Sequence, residues 1–180
     1  MSATAVATTW GIDTMHSEIQ FKVRHMMIST VTGQFNEFEG KMMTESDDLE
    51  GGSIYFSANI NSISTNNEQR DAHLKSDDFF NADAFPKLEF ISKSFTKVSD
   101  GKFKLIGDMT IRDNTKTIEF DVDYFGQMVD PYGNTKAGFE INGSVSRKDF
   151  GLKWNAVTEA GGVVVSDDVK LHLNVQLAKG

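Results

Sequence analysis

Apolar and polar residues alternate with a period of two through almost the whole chain, and that pattern leaves few folds open. Ile19, Phe21 and Val23 alternate with Glu18, Gln20 and Lys22. Val31, Gly33 and Phe35 follow, then Phe38, Gly40 and Met42 in shifted phase. The slip at Asn36-Glu37 predicts a bulge or a tight bend. The series continues through Ile54, Phe56, Ala58 and Ile60, then Leu88, Phe90 and Ser92. Phe103, Leu105, Gly107, Met109 and Ile111 pair through the turn "RDNTK" with Ile118, Phe120, Val122 and Tyr124. Beyond the turn signal "DPYGN" come Ala137, Phe139, Ile141, Gly143 and Val145, and finally Val169, Leu171, Leu173, Val175 and Leu177. Each run is a strand with one apolar face. About eight such strands, joined by hairpin-length links without crossover helices, predict an all-β antiparallel barrel or sandwich. Strong strands at both ends of the sequence favour the barrel, because closure removes exposed edges.

One stretch breaks the rhythm. In "NNEQRDAHLKSDDFFNADAFP", Asn66 or Asn67 caps a short helix through Leu74, and Ser76 caps a second turn with Asp77 and Asp78 near its positive end. Phe79, Phe80 and Phe85 then form an apolar cluster on a helical connection. It serves either as a plug for one end of the core or as a lid over a cavity. No repeat, low-complexity tract or linker divides the chain, so residues 1–180 are read as one domain.

Charge and composition exclude several functions. The net charge is -8 and no basic run offsets it, which argues against nucleic acid and anionic membrane surfaces as partners. With no cysteine, disulfides, thiolate nucleophiles and zinc-thiolate sites are all removed. No stretch approaches the ~20 apolar residues of a membrane span, and "MSATAVATTW" lacks the charged and apolar regions of a secretory signal. A cytoplasmic location is expected, or a periplasmic one if the start is processed. His16 and His25 have opposite parity along one strand, and His172 alternates with Leu171 and Leu173. None of the four histidines has metal-site spacing, so no metal or cofactor is expected. The carboxylates fall mostly on outward positions or in turns. Phosphate loops and nucleophile elbows are absent.

Phenylalanine dominates the aromatics, with 14 Phe against 2 Trp and 3 Tyr. Such rings bring apolar area without a polar handle, so they face a core or a greasy ligand. His25 stands on the apolar side of its strand near a rim. It either satisfies its ring nitrogens with a backbone carbonyl and a hydroxyl such as Ser29, or holds the polar head of a lipid. Arg147 and Asp149 in "SRKDFG" sit near another strand end, where an ion pair fixing a turn is the simplest reading.

Three stretches together resemble the YceI-like, polyisoprenoid-binding family. The first is "TWGIDTMHSEIQFKVRHMMISTVTGQFNEFEG", through Asp13, His16, Ser17, Phe21, Val23, His25, Ser29, Val31, Gly33 and Phe35. The second is "RDAHLKSDDFFNADAFPKLEF", through Arg70, His73, Leu74, Phe79, Phe80, Pro86 and Phe90. The third is "YGNTKAGFEINGSVSRKDFGLKWN", through Gly138, Phe139, Arg147, Asp149, Phe150 and Gly151. The resemblance implies a lipocalin-like barrel, a long apolar cavity for isoprenoid or similar chains, and often a homodimer. Many members are periplasmic and carry a signal peptide, which this sequence does not show.

The expected ligand-binding set is Phe21, Val23, His25, Phe35, Phe38, Ile54, Phe56, Leu74, Phe79, Phe80, Phe90, Phe103, Phe120, Phe139 and Arg147. An eight-stranded barrel has room for one small ligand or for its own side chains. Burial contributes about 0.8 kcal/mol per CH₂, so a chain of ~20 carbons gains roughly 16 kcal/mol. Association costs about 4–15 kcal/mol, so binding needs no catalytic group. A non-enzymatic carrier or sequestering protein for an isoprenoid, quinone or fatty chain is therefore expected. Two alternatives stay open: an enzyme using His25, Arg147 and Asp149 on an amphipathic substrate, and a stress-related barrel whose interior is simply filled.

Overall fold

The computed structural model describes residues 7–25, 28–45, 49–152 and 165–180, with His25 described by its backbone alone. Eleven strands form one sheet: β1 (Thr8–Ile12), β2 (Glu18–His25), β3 (Ser29–Phe35), β4 (Phe38–Thr44), β5 (Ser53–Asn59), β6 (Ile63–Ser64), β7 (Lys87–Ser99), β8 (Lys102–Ile111), β9 (Asn114–Val129), β10 (Thr135–Ser146) and β11 (Val165–Lys179). One helix, α1 (Glu68–Lys75), interrupts them.

These eleven pieces are eight staves. β1 and β2 lie end to end along the same edge of β11, since Ile12 pairs with Leu177 and Ile19 with Leu173. β3 and β4 make the second stave and β5 with β6 the third, so the ladder runs from stave to stave and returns to β11. All pairings are antiparallel, and the result is a closed, lipocalin-like barrel in which sequence neighbours are spatial neighbours. The slip at Asn36-Glu37 is a bend: Asn36 donates to the Ser62 carbonyl at 3.2 Å and Asn59 to the Glu37 carbonyl at 2.9 Å. Above the bend the stave pairs with β6, below it with β5.

The break between β1 and β2 falls at the closing seam, and the polar residues there stitch it. The Asp13 N–H donates to the Gln176 carbonyl at 2.8 Å, and the Gln176 N–H donates to Ser17 Oγ at 3.0 Å. The Asp13 carboxylate reaches over β11 to Lys136 Nζ on β10 at 2.6 Å, and His16 Nδ1 lies 2.7 Å from it. Asp13 and Ser17 of the "DTMHS" stretch thus tie the first stave to the last two, and His16 holds the Asp13 carboxylate.

The Lys136 hydrogen bond is the main cause that lowers the Asp13 pKa from 3.8 to about 2, with His16 and the Met15 N–H helping against the opposing effect of burial. A depressed carboxylate stabilises the fold fully above the unfolded value and loses that contribution as pH falls through the folded one. With Asp13 only 15% exposed, this contribution is roughly 1–2 kcal/mol. We expect denaturant midpoints to fall between pH 4 and pH 2, and Asp13→Asn to lower the midpoint at pH 7 while removing part of that acid sensitivity. Equal acid profiles for the two proteins would remove Asp13 from the seam.

Candidate functional site

The inward faces of the staves enclose a cavity of about 200 Å³. From Val169 to Leu177 its β11 lining covers about 26 Å of strand, or about 20 Å along the axis at a tilt of about 40°. It is a long, narrow bore with an almost wholly apolar wall.

Close packing of ring on glycine gives the wall its shape. Phe21 on β2 lies against Gly33 on β3, Phe90 on β7 against Gly107 on β8, and Phe120 on β9 against Gly143 on β10. A Cβ at Gly107 would sit 2.5 Å from the Phe90 ring and 2.5 Å from the Ile91 carbonyl oxygen, so neither ring nor backbone leaves room for one. Each ring lies across a neighbouring strand and lines the bore without filling it.

The lower end is sealed by aromatic stacking. Phe95 and Phe103 are stacked at 4.5 Å, Phe103 meets Tyr124 edge-on at 6.0 Å, and Tyr124 stacks on Phe139 at 5.1 Å. A register shift between Ser92 and Ser94 reverses the parity of β7 and turns Phe95 inward.

Two segments cross the upper end. The first begins at Thr65, whose N–H and hydroxyl are held by the Asp71 carboxylate and whose carbonyl accepts from Arg70. Helix α1 is capped by Asn67, which accepts from the Arg70 N–H at 2.9 Å. Ser76 is the C-cap of that helix and also caps the turn that follows through Phe80, its Oγ accepting from the Asp78 N–H at 3.3 Å. Leu74, Phe79 and Phe80 from this segment line the bore. The second crossing is a 3₁₀ turn, Arg147–Phe150, ended by Gly151 at φ 81°. Phe150 and Leu152 close over the cavity.

Arg147 is the buried cation of the lining, 3% exposed. It donates to the carbonyls of Leu152 at 2.6 Å, Ser166 at 2.8 Å and Val165 at 3.2 Å. Among the described residues the carboxylate facing it is Asp167 at 3.8 Å, not Asp149 as its neighbourhood in sequence suggested, and Asp149 is exposed. Burial lowers the Arg147 pKa and Asp167 opposes that shift.

Of the residues expected to bind ligand, Phe21, Val23, Phe35, Ile54, Phe56, Leu74, Phe79, Phe80, Phe90, Phe120, Phe139 and Arg147 lie on the lining. Phe38 and Phe103 do not. Phe38 packs on Phe56 at 6.2 Å without reaching the lining, and Phe103 is buried in the aromatic stack below it. The His25 side chain lies outside the described residues. Its backbone pairs with Val165 and Ser29, at the same end as Arg147. Lining residues missed in the sequence include Phe95, hidden by the register shift, and Phe150, Leu152 and Val165 on or beside the second crossing. Among the described residues no three His, Asp or Glu side chains converge as metal ligands, and no helix is long and apolar enough to cross a membrane.

Fold and cavity define a small antiparallel barrel with an apolar bore. The chain belongs to the YceI-like family, whose domain model matches residues 10–177. It is similar to a UPF0312 protein of Staphylococcus aureus, 36% identical over 174 residues that make up 95% of this chain and 98% of that one. Among solved structures it shares its fold with BcnA of Burkholderia cenocepacia, with a TM-score of 0.80, 16% identity, and coverage of 92% of this chain and 98% of that one. A polyisoprenoid-binding domain from Saccharophagus degradans, implicated in plant cell wall breakdown, matches with a TM-score of 0.67 and 13% identity. That match covers 95% of this chain and 98% of the other.

The packing of ring on glycine yields a direct test. Gly107→Ala is expected to destabilise the barrel by about 1–3 kcal/mol, because the new methyl meets backbone as well as ring. Gly11→Ala, where nothing lies within 4 Å of the added Cβ, is the neutral control. Urea unfolding of the two variants compares them; equal midpoints would show that the wall yields freely.

Proposed function

We propose that this chain binds one long apolar ligand lengthwise in its barrel and carries or sequesters it without chemical change. The observation that carries this reading is the bore itself: long, and lined by aliphatic and phenyl groups from every stave. Every CH₂ taken from water into such a bore contributes about 0.8 kcal/mol, so length is what the site rewards. The description of a structural neighbour as polyisoprenoid-binding supports an isoprenoid, quinone or fatty chain.

The ends differ, and this supports one orientation. The lower end is closed by apolar rings, whereas the upper end holds the buried guanidinium of Arg147. A chain with a polar or anionic head enters with its tail down and its head toward Arg147, where opposite charge offsets part of the cost of burying the cation.

Native mass spectrometry tests the reading with three probes of similar length: hexadecane, geranylgeraniol and geranylgeranyl phosphate. One-to-one adducts are expected, with the phosphate retained to the highest collision energy. Leu173→Trp, which fills the middle of the bore, is expected to abolish them while the protein stays folded. Unliganded mass with all three probes would overturn the proposal.

A further inference from the structure

The β8–β9 turn faces both upper closures, and one of its residues is unusual. Arg112 and Asp113 occupy the left-handed region, with φ of 53° and 65°. Two-residue hairpin turns of this kind favour Asn and Gly, and a side chain as long as arginine adopts the conformation at a cost. Strain held at a defined place invites the question of what the residue does there.

Arg112 spends its guanidinium on the first crossing segment. Nη1 donates to the carbonyls of Asp77 and Phe79, each at 2.8 Å, and Nη2 to the Asp77 carboxylate at 2.9 Å. Its guanidinium carbon lies 6.0 Å from the Phe85 ring centroid. These bonds fix the stretch that places Phe79 and Phe80 over the bore. Helix α1 contributes no buried residue of its own. The segment is also held at its two roots, by the Thr65 cluster and by the Pro86 carbonyl accepting from the Ile60 N–H at 2.9 Å, and the Phe80 ring packs edge-on to Phe35 at 6.2 Å. Between them lies a strap with apolar residues on its under-side, fixed at both ends and clasped in the middle. Two residues on, at the start of β9, Asn114 braces the other crossing, since its Nδ2 donates to the Phe150 carbonyl at 3.0 Å.

We propose that Arg112 is the latch that sets how fast the ligand enters and leaves, by clasping residues 77–79 over the upper end of the bore. This rests on the binding function proposed above. Arg112 is a positioning residue: it does not line the bore, so removing it opens the gate without changing what the ligand touches. A gate alters entry and exit together and leaves the equilibrium alone, whereas a lining residue alters affinity.

Stopped-flow fluorescence with diphenylhexatriene, an apolar rod that brightens out of water, separates the two. Arg112→Gly removes the clasp and suits the left-handed turn, so the barrel is expected to keep or gain stability. Association and dissociation rate constants are each expected to rise about tenfold, as for a lost charge-assisted clasp, with Kd changed by less than about threefold. Arg112→Lys, which keeps charge but loses the fork, should move both rates the same way. The Asp77 carboxylate is 82% exposed, so salt should speed exchange in the parent protein and leave Arg112→Gly unaffected. Unchanged rates in both variants, or a weakened Kd with unchanged association, would overturn the latch. Failure of the parent protein to take up diphenylhexatriene would instead strike at the binding function, and the latch would fall with it.

Discussion

The seam where β11 meets the interrupted first stave is the contact on which everything else depends. Without it the sheet would be an open ribbon with two long apolar-faced edges, and no interior would exist to hold anything. The seam is also interrupted, because β1 is short and a gap separates it from β2. Polar chemistry compensates there. Backbone and hydroxyl bonds to Gln176 span the gap, and the Asp13–Lys136 pair passes over β11 to bind the strand behind it. Asp13, His16 and Ser17, within five positions of one another, act together as a rivet.

Closure alone would give a filled barrel. The bore persists because bulk is distributed unevenly: rings lie against glycines on adjoining strands, the stack of Phe95, Phe103, Tyr124 and Phe139 closes the bottom, and two short crossings close the top. The asymmetry of the ends follows from connectivity. The upper end receives both crossings, with their backbone polar groups, and arginines satisfy carbonyls there. Arg147 ties its own excursion back to the start of β11, and Arg112 ties the other down from outside.

Much of this was legible in the sequence because a period of two depends only on neighbours along the chain. The staves could be counted, and the slip at Asn36-Glu37 could be seen as a break within one of them. The apolar positions of β2, β5 and β9 could be assigned to the inside. β1 escaped notice, since five residues around Gly11 give too short an alternation to stand out. Phe95 was missed because a bulge, which depends on how two strands meet, reverses parity from that point on. Phe103 was placed in the bore for the complementary reason: parity gives the face of a residue but not its height along the barrel. Arg147 was marked as important, yet its partners come from residues close in space and distant in register, and Asp167 could not be chosen over Asp149 by spacing. For Arg112 the sequence offered only a turn.

The packing of ring on glycine has a consequence for how such a barrel can change over time. The ring belongs to one strand and its seat to the next, so the calibre of the bore is a property of pairs. Replacing a seat alone produces a collision, and shrinking a ring alone leaves a hole beside a bare glycine. Moving the bulk from one strand to the other requires both replacements at once. Single substitutions are therefore penalised in either direction, and the width of the passage is buffered against drift while the outer face of the same strands remains free to vary.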